Sequence, residues 1–528
     1  MAFNTFTFAV FFVVVLLGYA LFPKRYKWCF LLCASYFFYL YASAKFFVFI
    51  CVTTITSWLS ALWIEKIKSK EKNVLQKNQT EHSEKKIKEQ MKKRKKQVLV
   101  FTLVLNFGIL AFLKYFNFFA ANLNSLFEHF SFDGEIPTLN LILPLGISFY
   151  TFQTMSYLID VYWGRATAQR NLGKLALFVS FFPQIIEGPI GRYNDLAPQL
   201  YAERRVNSFE VRRGIQLMLW GYFKKMVIAD RVAIVADFVF SNYLNISGLG
   251  VGIGIFLYAI QDYTDFSGCI DIARGCARTM GITMAENFRR PYFAKTIPDF
   301  WRRWHISLGA WMKDYVFYPF SLNKNVRKLG KLAKAHYGKH IGRSLPIALG
   351  NLLVFFLVGL WHGANWNYIA WGIFYGLVIA ISGMLKPVYE WLNKCLHINV
   401  ENKAFQLFQI LRTFGITCIG CVIFRSSTLN DGIQMILRIP SLLNVDTVWY
   451  KELLSFGLDK WNWILLAISL IVLFIVDVFQ EKTSVGDWLD QRIAVLRWTI
   501  YAAASMALIL FGMYGAGLNP TQFVYMQF

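Results

Sequence analysis

Apolar runs of bilayer-crossing length recur from Phe3 to Met513, and this recurrence constrains the chain more than any single motif. A transmembrane helix needs about 20 predominantly apolar residues. Runs of that order fall near 3–22, 26–44, 46–64, 98–122, 140–162, 214–240, 247–268, 344–361, 366–385, 403–425, 461–480 and 494–516. A soluble fold would have to bury them all, yet only 16% of residues are charged and 56% are apolar. Backbone in hydrocarbon must satisfy its own hydrogen bonds, which leaves helices for runs of this length. The expected architecture is therefore an all-α polytopic transmembrane bundle of about 11–13 membrane segments, a single domain over residues 1–528. Segment 175–190, broken by Pro183 and Pro189, is short for a crossing and reads as re-entrant or interfacial. The first run, lacking a basic flank and a small-residue cleavage site, reads as a retained span.

Charge sets the orientation. The net charge of +24 sits mainly in short segments between apolar spans, the pattern of cytoplasmic loops on a membrane protein, and no nucleic-acid readout motif accompanies it. Between Glu65 and Gln97 there are thirteen Lys or Arg against five Glu, which reads as a solvated, flexible Lys-rich cytoplasmic loop. Alternation then puts Lys24–Lys27 and Arg165–Lys174 on the same face, Met1 and the acidic segment 123–139 outside, and the basic segments 270–303 and 321–343 inside. The implied location is the plasma membrane, crossed many times.

Several function classes lose support. The eight cysteines are scattered, without the paired spacing of a zinc site or a disulfide framework, so no metal is expected. There is no nucleophile elbow, HExxH, P-loop or dinucleotide fingerprint. A transporter remains a rival for a chain with so many spans, but no internal repeat supports it.

Two of the seven histidines, His305 and His362, lie in aromatic-rich apolar surroundings. A neutral imidazole suits proton abstraction from a hydroxyl near neutral pH, and an apolar site keeps it neutral. His362 sits in LVGLWHGANWNYIAWG, at the junction of two spans; catalysis and a structural hydrogen bond are both open readings there. His305 sits in DFWRRWHISLGAWMKDYVFYPF, where a continuous helix over 299–320 would place Trp301, Trp304, His305, Leu308, Met312 and Tyr315 on one face. Asp262, Asp265 and Asp271 in one cluster, and Glu187 in another, are costly in hydrocarbon and should pair with cations, bond backbone groups or line a wet cavity.

These histidine segments resemble the membrane-bound O-acyltransferase superfamily, and specifically its alginate O-acetylation branch. The resemblance extends in order through LPLGISFYTFQTMSYLIDVY, FPQIIEGPIGRY, GYFKKMVIADR, YAIQDYTDFSGCIDIARG, PYFAKTIPDFWRRWHISLGAWMKDYVFYPF and LWHGANW. It implies a helical bundle with a tunnel, a catalytic His362 in the WHG motif and a second functional histidine, His305, in the WHxSL motif. Acetyl coenzyme A on the cytoplasmic side is the implied donor substrate, with no bound cofactor. An extracytoplasmic acetyltransferase partner and a polysaccharide pathway are the implied destination. Trp304, Trp361 and Asn365 are candidate substrate contacts, with Asn365 or Trp366 as candidate oxyanion donors. Arg289, Arg290, Arg302, Arg303 and Lys313 could meet the phosphates of coenzyme A. The resemblance transfers least to 65–97 and 400–528. The ending TQFVYMQF is similar to the acetylation branch rather than to the teichoic-acid D-alanylation branch, whose chemistry is the alternative.

Overall fold

A computed structural model describes residues 1–77, 81–440 and 449–514, so the terminal TQFVYMQF lies outside the described residues. Every regular element among the described residues is a helix, and the spans drawn from the sequence fall mostly on helical chain, with 140–146 lying outside any helix and 515–516 outside the described residues. Among the described residues, seven helices are long and apolar enough to cross a membrane: those within 44–76, 82–129, 324–362, 366–384, 403–425, 460–480 and 494–511. The chain forms two compact units, Met1–Ile215 with Ala273–Ala285, and Gln216–Ile272 with Glu286 onward.

The first unit contains α1 (Phe6–Leu21), α2 (Lys27–Ser43), α3 (Phe47–Lys77), α4 (Glu81–His129), α5 (Ile147–Trp163), α6 (Leu172–Ser180), α7 (Phe182–Ile185) and α8 (Tyr193–Tyr201). The Lys-rich stretch is a correction to the expected flexible loop: outside 78–80 it is helical, extending α3 and α4 beyond their apolar parts. Lys, Glu and Gln are good helix formers. Glu84 pairs with Lys88 one turn on at 3.1 Å, an arrangement worth about 0.2–0.5 kcal/mol. Glu71 meets Lys95 across the two helices at 2.6 Å, and Met91 and Ile67 are buried. Segment 175–190 breaks as its prolines foretell. After α6 the chain turns at Phe181, makes the short α7 over Pro183, and leaves helix before Pro189. The buried Gln184 amide donates to the Pro189 carbonyl at 2.8 Å, satisfying backbone that has no helical partner.

The second unit begins inside α9 (Ser208–Tyr222), which runs through a π-helical stretch, Phe223–Ala229, into α10 (Asp230–Asn242) and then α11 (Gly248–Thr279). After these come α12 (Ile297–Arg303), α13 (Ile306–Met312), a second π-helical stretch at Lys313–Phe317 and α14 (Tyr318–Ser321). The remainder is α15 (Lys324–His362), α16 (Trp366–Met384), α17 (Lys386–Cys395), α18 (Lys403–Arg425), α19 (Leu429–Arg438), α20 (Trp449–Leu454), α21 (Lys460–Gln480), α22 (Val485–Asp490) and α23 (Ala494–Phe511). Helix α15 turns at Gly338, whose φ of 86° suits glycine.

Close packing of α15 on α16 sets the position of His362. A side chain at Gly359 would place its Cβ 2.3 Å from the Tyr368 carbonyl oxygen, and one at Gly372 would lie as close to that of Phe355. Small residues at a helix crossing let backbones approach this closely. Deeper in the unit, the π-helical Lys225 is buried between Asp265 at 2.5 Å and Asp230 at 2.9 Å. Its neighbour Lys224 meets Asp271 at 2.7 Å. Two of the three aspartates singled out on α11 thus serve ion pairs, as the cost of a buried carboxylate demands.

Candidate functional site

His305 does not sit on a continuous helix, which corrects the single amphipathic helix expected over 299–320. Helix α12 ends at Arg303; Trp304 is extended, and His305 takes a left-handed conformation with φ 46° and ψ 50° before α13 starts at Ile306. The cause is Asn287, which is completely buried. Its backbone carbonyl accepts from the Ile306 N–H at 3.0 Å. Its side-chain oxygen accepts from the Ser307 N–H at 3.0 Å, the Ser307 hydroxyl at 2.8 Å and His305 Nδ1 at 3.3 Å. These bonds compensate the helical geometry that residues 304–305 give up. A left-handed non-glycine residue costs energy and is found disproportionately where function fixes a side chain.

Because the Asn287 oxygen must receive the backbone N–H, the same oxygen receives a proton from His305. Nδ1 is therefore the protonated nitrogen and Nε2 bears the lone pair. Burial holds the imidazole well below its usual value, down to about 3, so it is neutral at physiological pH. The ring packs edge-on to Phe266 at 4.9 Å between centroids.

His362 is the last residue of α15 and is 4% exposed. Space makes Gly363 necessary behind it: a Cβ there would come within 2.5 Å of the Tyr368 ring. The imidazole is enclosed by Trp361 at 5.1 Å, Trp371 at 5.0 Å and Phe424 at 5.0 Å between ring centroids. Trp361 also packs on His305 at 5.8 Å. Two histidines 57 positions apart in sequence thus share one indole in a buried, aromatic environment.

The other residues named from the sequence divide into two groups. Trp304 and Trp361 are buried with the histidines. Asn365 instead caps α16, its side-chain oxygen accepting from the Asn367 N–H at 2.9 Å, and Trp366 is 55% exposed. The four arginines form a cluster with three carboxylates, Glu286, Asp299 and Glu481. Arg289 pairs with Glu286 at 2.8 Å, Arg302 with Asp299 at 3.2 Å, and Arg290 and Arg303 share Glu481 at 2.8 and 2.9 Å. Lys313 is exposed and lies over the Tyr318 ring at 5.6 Å. Sequence reasoning missed Asn287, which lies between Glu286 and Phe288 and just before two arginines, so nothing local marked it as buried. It also missed that the third α11 aspartate, Asp262, lines a cavity walled by Trp301, Trp304, Trp371 and Phe424.

A helical membrane body holding two buried histidines beside a shared indole defines a class, and comparison with known proteins gives it a name: the chain belongs to the membrane-bound O-acyltransferase family, whose model matches residues 169–334. It is an O-acyltransferase and an integral membrane protein. Among its relatives is "Probable alginate O-acetylase AlgI" of Pseudomonas syringae pv. tomato, 35% identical over 432 residues, which cover 81% of this chain and 73% of the relative. The peptidoglycan O-acetyltransferase of Helicobacter pylori is 31% identical over 69% of this chain and 68% of its own. The teichoic acid D-alanyltransferase of Bacillus subtilis is 30% identical over 54% and 70% respectively.

Proposed function

We propose that this enzyme moves acetyl groups from cytoplasmic acetyl coenzyme A across the membrane for O-acetylation of an exopolysaccharide or cell-wall polysaccharide, with an extracytoplasmic acetyltransferase as partner. The observation that carries the reading is the pair of buried histidines packed on Trp361. The similarity to alginate and peptidoglycan O-acetylating proteins supports acetyl as the group transferred.

In this reading His362 is the general base. The acceptor hydroxyl gives its proton to the imidazole as its oxygen attacks the thioester carbonyl carbon. The tetrahedral intermediate then collapses, the carbon–sulfur bond breaks, and the departing thiolate takes the proton from His362. Such assistance is worth about 10²–10⁴-fold in rate. His305, held neutral, is too weak a base to share that role and positions a reacting group through Nε2. The basic cluster at Arg289, Arg290, Arg302, Arg303 and Lys313 meets the phosphates of the donor, exchanging carboxylate partners for phosphate ones.

D-alanyl transfer is the second reading, favoured by the similarity to teichoic acid D-alanyltransferase. Incubating purified protein with radiolabelled acetyl coenzyme A or with a D-alanyl carrier protein separates the two. Consumption of only the carrier-bound donor would replace the first reading by the second, and consumption of neither would favour a transporter.

A further inference from the structure

The part of α15 before Gly338 concentrates positive charge that no carboxylate among the described residues answers. Lys324, Arg327, Lys328, Lys331 and Lys334 are exposed on it, and Lys339 and Arg343, also exposed, follow the turn. The sequence has no Asp or Glu between Asp314 and Glu390, and none of these cations has an ion-pair partner among the described residues. Other basic segments are built differently. Arg290 and Arg303 near His305 share a glutamate, and in the Lys-rich part of α4 glutamates are interspersed, with Lys88 and Lys95 in ion pairs.

This stretch folds back on the start of the membrane-crossing part of α15. A Cβ on Gly330 or on Gly342 would lie 2.9 Å from the other's carbonyl oxygen. Just past the turn, His340 Nε2 meets the Met384 carbonyl at 3.1 Å, so α15 enters its apolar part at the level where α16 ends. The hairpin therefore lies at the bilayer boundary, and at about 3.6 residues per turn its outer helix has three flanks. Val326, Gly330 and Ala333, spaced four and three apart, form the packed one. The five cations cover the second, and Leu329 and Leu332, both exposed, lie on the third. Lysines on one flank and bare leucines on another suit a surface that is anionic at its face and apolar beneath. The long cationic stems reach the headgroups while the leucines enter the acyl layer. A soluble polyanion would meet the charges and leave the leucines in water.

We propose that this hairpin binds the phosphate headgroups of anionic lipids in the cytoplasmic leaflet, its cations on the phosphates and Leu329 and Leu332 among the acyl chains. Delipidated full-length protein in neutral detergent micelles is titrated with pyrene-labelled phosphatidylglycerol or phosphatidylcholine, and energy transfer from tryptophan reads binding. The wild type should favour phosphatidylglycerol by at least about tenfold, and added salt should remove the preference. Lys324→Gln, Arg327→Gln, Lys328→Gln, Lys331→Gln and Lys334→Gln together should abolish most of it. The same number of exposed cations removed from α4, as Lys85→Gln, Lys86→Gln, Lys92→Gln, Lys93→Gln and Lys96→Gln, should leave it in place. Leu329→Gln with Leu332→Gln should weaken phosphatidylglycerol binding but not the binding of fluorescent heparin. This last variant keeps all five cations, so it tests the lipid assignment even where the charge variant unfolds. Equal binding of the two lipids by the wild type would overturn the proposal, as would an equal loss in the α4 variant, which would make the effect one of general basic charge. Full phosphatidylglycerol preference in the leucine variant would also overturn it and make the hairpin a face for soluble polyanions.

Discussion

Replacing Asn287 by alanine removes one oxygen that three donors share, the Ser307 N–H, the Ser307 hydroxyl and His305 Nδ1. The serine hydroxyl can rotate to another acceptor, but the backbone N–H cannot, and an orphaned buried donor costs about 1–3 kcal/mol. With a smaller loss from His305 and the void left by the side chain, destabilisation should total about 2–4 kcal/mol. The effect on turnover is separable. Without its Nδ1 partner the imidazole is free to change tautomer and tilt, and displacement of a positioning group by about 1 Å can cost about 10²-fold in rate. Asn287→Asp is the control, because a carboxylate can accept all three bonds. It should recover most of the stability while its charge favours the imidazolium and raises the pKa of His305 from about 3. Thermal unfolding in detergent, with kcat normalised to folded protein, reads both quantities. An Asn287→Ala protein that loses stability but keeps native turnover per folded molecule would refute the claim that Asn287 acts on catalysis through His305.

Three further outcomes are expected. His362→Gln, which keeps a polar side chain but cannot shuttle a proton, should lower turnover by about 10²–10⁴-fold with little change in unfolding temperature, and His305→Ala should impair transfer severely; near-native turnover in His362→Gln would make that residue structural. The pH dependence follows from His305, whose pKa is about 3 when folded and 6.5 at its ordinary value: the unfolded chain binds the proton first, so the contribution is complete above pH 6.5 and declines as pH falls towards 3, by up to about 1.4 kcal/mol per unit. His305→Asn should flatten that part of the unfolding-temperature profile, and an unchanged slope would contradict the assignment. Cysteines introduced on a cysteine-free background should be labelled by an impermeant reagent from outside at 123–139 but not at 65–97, and the reverse pattern would invert the topology.

How much of this was legible in the sequence follows from which forces act locally. Apolar runs and the lack of charge determined a helical membrane protein, because hydrocarbon leaves a backbone few alternatives, and the ordered motifs determined the family. The prolines at 183 and 189 announced a broken segment, since their effect is confined to neighbouring residues. His305 and His362 stood out as polar residues in apolar stretches, which is also a local property. The tertiary structure decided what depends on distant partners. Propensity favoured a continuous helix through Trp304 and His305, and Asn287, eighteen residues earlier, overrode it by accepting the bonds of residues 305–307. The Lys-rich stretch looked like a flexible connector until Glu71 and Lys95 were seen to meet across two helices. Likewise, three aspartates on α11 are equivalent by composition. Only the approach of Lys224 and Lys225 separates two that hold the fold together from Asp262, which the packing of α12, α16 and α18 leaves facing a cavity.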